Sequence, residues 1–140
     1  MVPEHLKRYP TKAGREALAS RLGLSIDPYS QDWEWEIADA DRFPEFLDAY
    51  RGDELSDDEQ FSLMEILVQC VEDKCGWEMP ADQVEELPEW RTVSALLRAN
   101  PRLHASTIHY WSLSYYEGKA GFRVTEAMRR LCAEVQSSLG

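Results

Sequence analysis

Residues 56–76 read SDDEQFSLMEILVQCVEDKCG and predict one helix that is buried on most of its sides. The helix begins at a capping box, because the Ser56 hydroxyl can accept the third backbone N–H while the Glu59 carboxylate accepts the N–H of Ser56. The two aspartates after Ser56 place negative charge at the positive end of the helix dipole. Polar residues form only a narrow stripe, which consists of Ser62, Glu65, Gln69 and Glu72. We therefore expect a helix over 57–75, ended by Gly76, as the central element of the fold.

Two shorter helices are predicted before it. Thr11 can cap a helix that runs to about Leu22, and Gly23 can end it. The expected apolar stripe of this helix consists of Ala13, Ala17, Leu18 and Leu22. Asp41 or a neighbouring residue can cap the next helix, which ends at Gly52. Its expected core residues are Phe43, Phe46, Leu47 and Tyr50.

A polar connector follows residue 76, and it leads to a further amphipathic helix. Pro88 sits where a first helical residue tolerates proline, so this helix should run to about Ala99. Its apolar residues are Trp90, Val93, Leu96 and Leu97. Asn100 as a cap and Pro101 as a first residue then predict an immediate restart.

The last part of the chain is ambiguous. Residues 107–125 contain helix-compatible spacing, but their aromatic and β-branched side chains are also compatible with a hairpin. We favour the helix because the Asn-Pro start is specific. Thr125 or a neighbour should cap a final helix whose inward residues are Ala127, Met128, Leu131, Cys132 and Val135.

Tryptophans alternate with carboxylates in residues 32–37, which read DWEWEI. The period of two predicts a short strand or extended arm. In that conformation Trp33, Trp35 and Ile37 dock on the core as scaffold. Asp32, Glu34 and Glu36 would then face water as a row of like charges.

Together these patterns predict a mostly all-α fold. We expect residues 1–140 to form one compact helical domain, a bundle of about five to six helices around the buried helix at 57–75. A short extended segment at 32–37 and a hairpin at 107–125 are the open alternatives. No signal peptide or membrane span is expected, and three cysteines without a secretory signal favour reduced thiols in a cytoplasmic location.

Charge is distributed unevenly along the chain, whose net charge is −11. Residues 27–59 hold thirteen acidic and two basic groups, and residues 60–89 hold eight acidic and one basic. Residues 1–26 and 90–140 are mildly basic. Such an acidic middle repels nucleic acid and attracts basic proteins. The alternative is that the acids only keep the protein soluble.

Candidate chemistry is weak in this sequence. Cys70-x4-Cys75 and His104-x4-His109 resemble zinc ligands in type, but five-residue offsets separate each pair by about 140° on a helix. The sequence lacks a serine elbow, a phosphate-binding loop and a dinucleotide fingerprint. Carboxylates are abundant, and none is marked as desolvated. We therefore predict no catalytic residue, no metal and no cofactor, and expect a protein that is not an enzyme.

The acids between residues 32 and 59 are the best candidates for function. Carboxylates give specificity against Lys and Arg, and aromatic side chains commonly anchor interfaces. The predicted partner-binding residues are Asp32, Glu34, Glu36, Asp39, Asp41, Glu45, Asp48 and Tyr50.

In acidity, size and helical character the chain resembles bacterial immunity proteins. The resemblance implies an antitoxin that masks a basic toxin by covering its active site. Two alternatives stay open. One is a self-associating structural or regulatory protein, in which Arg123, Arg129 and Arg130 dock on the acidic middle of another copy. The other is a small enzyme or metal protein that uses His104, His109 and the cysteines.

Overall fold

A computed structural model describes residues 2–52, 54–113 and 121–139. Within these residues the regular structure is helical and no strand occurs, which confirms the predicted mostly all-α fold. No helix in the described part is long and apolar enough to cross a membrane. The chain divides into two compact units, Tyr9–Asp73 and Met1–Arg8 together with Lys74–Gly140. The single domain expected for residues 1–140 stays a prediction.

The unit Tyr9–Asp73 begins with α1, Lys12–Leu22, and its predicted ends are confirmed. The Thr11 side chain accepts the N–H of Gly14 at 3.0 Å, and Gly23 closes the helix with a φ of 65°. The predicted stripe is partly wrong, since two of its alanines are exposed and the buried residues are Gly14, Leu18 and Ala19. A Cβ on Gly14 would lie 3.0 Å from the Cβ of Asp58, so α1 is turned to bring its glycine there.

Residues 32–37 are not extended. Trp33–Ile37 form a short helix, α2, so the predicted strand is wrong. The carbonyl of Asp32 accepts the N–H groups of both Trp35 and Glu36 at 3.0 Å, which closes the turn. The alternation of exposure is lost as well, because Trp33 and Glu34 are both buried.

Helix α3, Phe43–Gly52, follows a 3-10 turn at Ala40–Arg42 and ends at the predicted glycine. The cap of the turn is Asp39, whose carboxylate accepts the N–H of Asp41 at 3.0 Å. The residues buried on α3 are Phe43, Phe46 and Ala49, whereas Leu47 and Tyr50 are half-buried.

Helix α4, Asp57–Cys75, is the long buried helix that the sequence predicts. Its capping box is confirmed: the Ser56 N–H donates to Glu59 at 3.2 Å, and the Glu59 N–H donates to the Ser56 hydroxyl at 3.1 Å. Gly76 follows the helix with a φ of 62°. Half of its polar stripe is covered as well, since Ser62 is 0% and Glu65 is 8% exposed, whereas Gln69 and Glu72 are half-buried.

The unit formed by residues 1–8 and 74–140 contains three α-helices and three 3-10 helices among its described residues. The α-helices are α5 at Pro88–Ala99, α6 at Ala105–Ser112 and α7 at Thr125–Val135. The 3-10 helices are Glu4–Leu6, Ala81–Glu86 and Gln136–Ser138. Helix α6 packs on α7, and α7 also contacts the 3-10 helix Ala81–Glu86.

The predicted restart at Asn100-Pro101 is wrong. Asn100 ends α5, and its carbonyl accepts the N–H of His104 at 3.3 Å, which closes a turn before α6 begins at Ala105. The favoured helix is confirmed for residues 107–112, and the remaining choice for residues 114–120 lies outside the described residues. Helix α7 begins at Thr125, so the predicted cap by this residue is wrong: Val124 holds the cap position and makes no side-chain cap hydrogen bond. The predicted inward residues of α7 are buried except Cys132, which is half-buried.

Candidate partner-binding surface

Glu34 does not belong to an exposed acidic row. It is 3% exposed and forms a two-pronged ion pair with Arg15 of α1. Arg15 Nε donates to Glu34 Oε2 at 2.8 Å, and Arg15 Nη2 donates to Oε1 at 2.7 Å. The hydrogen bond to Glu34 raises the pKa of Arg15, and the negative charges of Asp32 and Glu36 raise it further. The sequence-based placement of Glu34 facing water is therefore wrong.

Arg15 also organises the loop in front of α2. Its Nη1 donates to the carbonyl of Ser30 and its Nη2 to the carbonyl of Gln31, each at 2.9 Å. The Arg15 guanidinium thus connects α1 to the loop and to α2 by hydrogen bonds. Because Arg presents its donors in a rigid planar fork, this arrangement fixes the orientation of α2.

The polar stripe of α4 holds α2 from the other side. The Ser62 hydroxyl donates to Glu34 Oε2 at 2.8 Å, and the Trp35 indole N–H donates to Glu65 at 3.2 Å. Trp33, which is 3% exposed, donates its indole N–H to the carbonyl of Ser25 at 2.8 Å. The two tryptophans therefore act as scaffold, and the buried acids of this region have hydrogen-bonding partners.

Six of the seven predicted carboxylates remain exposed, and we call them the acidic face. They are Asp32, Glu36, Asp39, Asp41, Glu45 and Asp48. Glu45 pairs with Arg42, whose Nε lies 2.9 Å from Glu45 Oε1, and this hydrogen bond lowers the pKa of Glu45. The other five make no salt bridge with any lysine or arginine that the structure describes.

Tyr29 is far more exposed than Tyr50, the aromatic residue predicted to bind a partner. Tyr50 is half-buried, and burial raises its pKa to about 12. Tyr29 is 92% exposed, and its backbone N–H donates to Asp27 Oδ1 at 2.9 Å. The loop that carries Tyr29 reaches α2 through a hydrogen bond from Ser30 to Glu36. The Asp-Pro content of this loop predicts a turn, but nothing local in the sequence indicates that the tyrosine projects into solvent.

The arginines expected to drive self-association are engaged inside their own unit. Arg130 forms a salt bridge with Glu85, and Arg129 Nε donates to the carbonyl of Ser112 at 2.7 Å. Arg123 Nη2 donates to the carbonyl of Trp77 at 2.6 Å. Docking these arginines on another copy would require them to exchange existing partners.

Two of the cysteine and histidine candidates, Cys70 and His104, are buried. Cys70 is 1% exposed, its thiol donates to the carbonyl of Asp39 at 3.5 Å, and burial raises its pKa to about 12. His104 is fully buried, and burial together with the positive charge of Arg8 lowers its pKa to about 3. Among residues 2–52, 54–113 and 121–139, no three Cys, His, Asp or Glu side chains are grouped so as to hold a metal ion.

Comparison with known proteins leaves the geometry as the only guide to function. No family model matches the chain, and neither a curated protein nor a solved structure matches it. The resemblance to immunity proteins therefore remains one of charge and helical character.

Proposed function

We propose that this protein is a non-enzymatic binding module whose acidic face binds and masks a basic protein. The observation that carries the proposal is the state of five carboxylates: Asp32, Glu36, Asp39, Asp41 and Asp48 are exposed and form no salt bridge with a lysine or arginine that the structure describes. Like charges placed together cost folding stability. A basic partner would remove that cost on binding.

The backbone that carries the acidic face is held by internal hydrogen bonds, which favours recognition of a partner. Arg15 and Ser62 hold α2 through Glu34, and the Asp39 carboxylate caps the turn that leads into α3. The backbone beneath the carboxylates is thus ordered before any partner arrives. A preorganised surface loses less conformational entropy on association, so more of its interaction energy appears as affinity.

The mechanism that follows is electrostatic masking. Carboxylates of the acidic face would take the positions that anionic substrate groups occupy on the partner and would pair with its Lys and Arg side chains. Complementary charge accelerates the encounter, and dissolved salt weakens that acceleration. In an immunity-like role the protein would act in the cytoplasm as an antitoxin, and the partner would be a basic toxin.

Two variants with equal charge test this proposal. The face variant carries Asp32→Asn, Glu36→Gln, Asp41→Asn and Asp48→Asn, and it spares Asp39 because that side chain caps the turn. The matched control removes four exposed acids of the other unit that make no salt bridge with a described lysine or arginine: Glu78→Gln, Asp82→Asn, Glu86→Gln and Glu126→Gln. Each protein is immobilised, exposed to a lysate of the source organism at low salt, and eluted with a salt step.

We expect the wild type and the control variant to retain the same basic protein, and the face variant to lose it. Any activity of the eluted protein should fall when the wild type is added back. Equal retention by the face and control variants would contradict the proposal, because binding would then follow net charge alone. If no protein is retained, the acidic face serves only solubility.

A further inference from the structure

A groove next to the acidic face is large enough to hold one side chain of a partner. Its volume is about 360 Å³, and its lining residues are Lys12, Arg15, Glu16, Ile26, Asp27 and Pro28. All of them belong to the unit Tyr9–Asp73. Ile26, which is 40% exposed, and Pro28 supply apolar surface to this wall. A long side chain with an aliphatic stem would find both apolar and charged contacts there.

The charges around the groove favour a cation. Arg15 donates hydrogen bonds to Glu34 and to two loop carbonyls. Lys12 Nζ lies 3.8 Å from Glu16 Oε1, at the long end of the range for a salt bridge. Asp27 forms no salt bridge with the lysines and arginines that the structure describes. Asp32 and Glu36 lie close enough to Arg15 to raise its pKa. The groove therefore has one lining carboxylate, Asp27, without a salt bridge to a described cation, and its own two cations already have carboxylate partners.

We propose that this groove receives an arginine side chain of the basic partner. The inference rests on the proposed function and names the anchor of the same interface. The arginine stem would pack on Ile26 and Pro28 while its guanidinium meets the Asp27 carboxylate. Tyr29, next in the chain and 92% exposed, offers an aromatic face for the guanidinium. Arginine fits better than lysine because its planar group can pair with a carboxylate and stack on an aromatic ring.

The test is an NMR titration of the whole protein with blocked tripeptides. The probe is acetyl-Gly-Arg-Gly-amide, compared with the same peptide carrying lysine or the neutral isostere citrulline. The arginine peptide should shift the backbone amides of Ile26, Asp27 and Tyr29, and citrulline should not. Lysine should bind about two- to fivefold more weakly, because it lacks the stacking and forked contacts.

Paired variants locate the contact. Asp27→Asn retains an oxygen for the Tyr29 N–H, so the turn survives, and it should weaken the arginine peptide about two- to fivefold, as expected for one exposed ion pair. Its control is Glu86→Gln, which removes the same charge elsewhere. Tyr29→Ala, next to the lining residue Pro28, should weaken binding similarly. Tyr9→Ala should not, because this exposed tyrosine is not adjacent in the chain to any lining residue.

A hexalysine titration separates the two proposals. If hexalysine shifts amides along the acidic face but the arginine peptide leaves residues 26–29 unmoved, the groove inference is wrong and the acidic face still binds cations. The same conclusion follows if Asp27→Asn and Glu86→Gln weaken the arginine peptide equally. If neither probe shifts any amide, the groove inference and the electrostatic basis of the proposed function both fail.

Discussion

The exchange of Glu34 for Gln should destabilise the protein far more than the same exchange at Glu36, two residues away. Glu34 accepts three hydrogen bonds: its Oε2 receives Arg15 Nε and the Ser62 hydroxyl, and its Oε1 receives Arg15 Nη2. A glutamine oxygen can keep the first two. Its amide nitrogen would then face Arg15 Nη2, so that two donors oppose each other.

The magnitude follows from burial. Removing one partner of a buried ion pair costs about 3–5 kcal/mol, because the other charge stays buried without compensation. The Arg15 side chain is 16% exposed and keeps two carbonyl acceptors, which favours the lower end of that range. We therefore expect Glu34→Gln to lower the free energy of unfolding by about 3 kcal/mol. Glu36→Gln changes an exposed side chain and should cost less than about 0.5 kcal/mol.

Equilibrium urea unfolding followed by circular dichroism measures both values, and the denaturant slopes should agree among the three proteins. In a double-mutant cycle with Arg15→Met, the coupling free energy between Arg15 and Glu34 should account for most of the stability lost in Glu34→Gln. Equally small losses for Glu34→Gln and Glu36→Gln would show that the buried pair contributes little to stability. Coupling near zero would likewise show that the pair does not hold α2.

Three further predictions concern the scaffold. Ser56→Ala removes half of the capping box of α4 and should lower the free energy of unfolding by about 1 kcal/mol in urea denaturation. Gly14→Ala should cost about 1–3 kcal/mol, since the new Cβ meets Asp58 at 3.0 Å. Gly52→Ala should be neutral or stabilising in thermal melts, because outside its chain neighbours and the backbone of its own helix the new Cβ meets no described atom within 4 Å. Because folding lowers the pKa of His104 from 6.5 to about 3, its contribution to stability is present above pH 6.5 and is lost as the pH falls. The unfolding free energy should therefore decline below pH 6.5 by up to about 1.4 kcal/mol per pH unit. His104→Gln should reduce this slope, and equal slopes in the wild type and the variant would contradict the prediction.

Helix ends were predictable where the signal is local. The Ser56–Glu59 box, the Thr11 cap and Gly23 involve residues within a few positions of one another, so spacing alone reveals them. The strand expected at residues 32–37 failed for the opposite reason. The alternation of residues 32–37 is equally compatible with one helical turn. In the helical conformation Glu34 accepts a hydrogen bond from Arg15, which lies nineteen residues earlier and is not visible in the local pattern.

Exposure of the acidic face was predictable because burying an unpaired carboxylate is costly. Burial of Glu34 was not, because its cost is offset by an arginine and a serine on two other helices. The groove beside Asp27 also depends on how α1 and the loop approach each other, which no local pattern encodes. At Asn100-Pro101 a specific start signal was overridden by a turn that carries the chain to Ala105.

The decisive measurement is the association rate of the captured basic protein with the wild type, the face variant and the control variant as ionic strength rises. If the acidic face steers the encounter, wild type and control should associate equally fast at low salt and slow by about tenfold or more at high salt. The face variant should associate slowly at every salt concentration. Rates that are the same for all three proteins, or that do not change with salt, would contradict the proposed role of the acidic face.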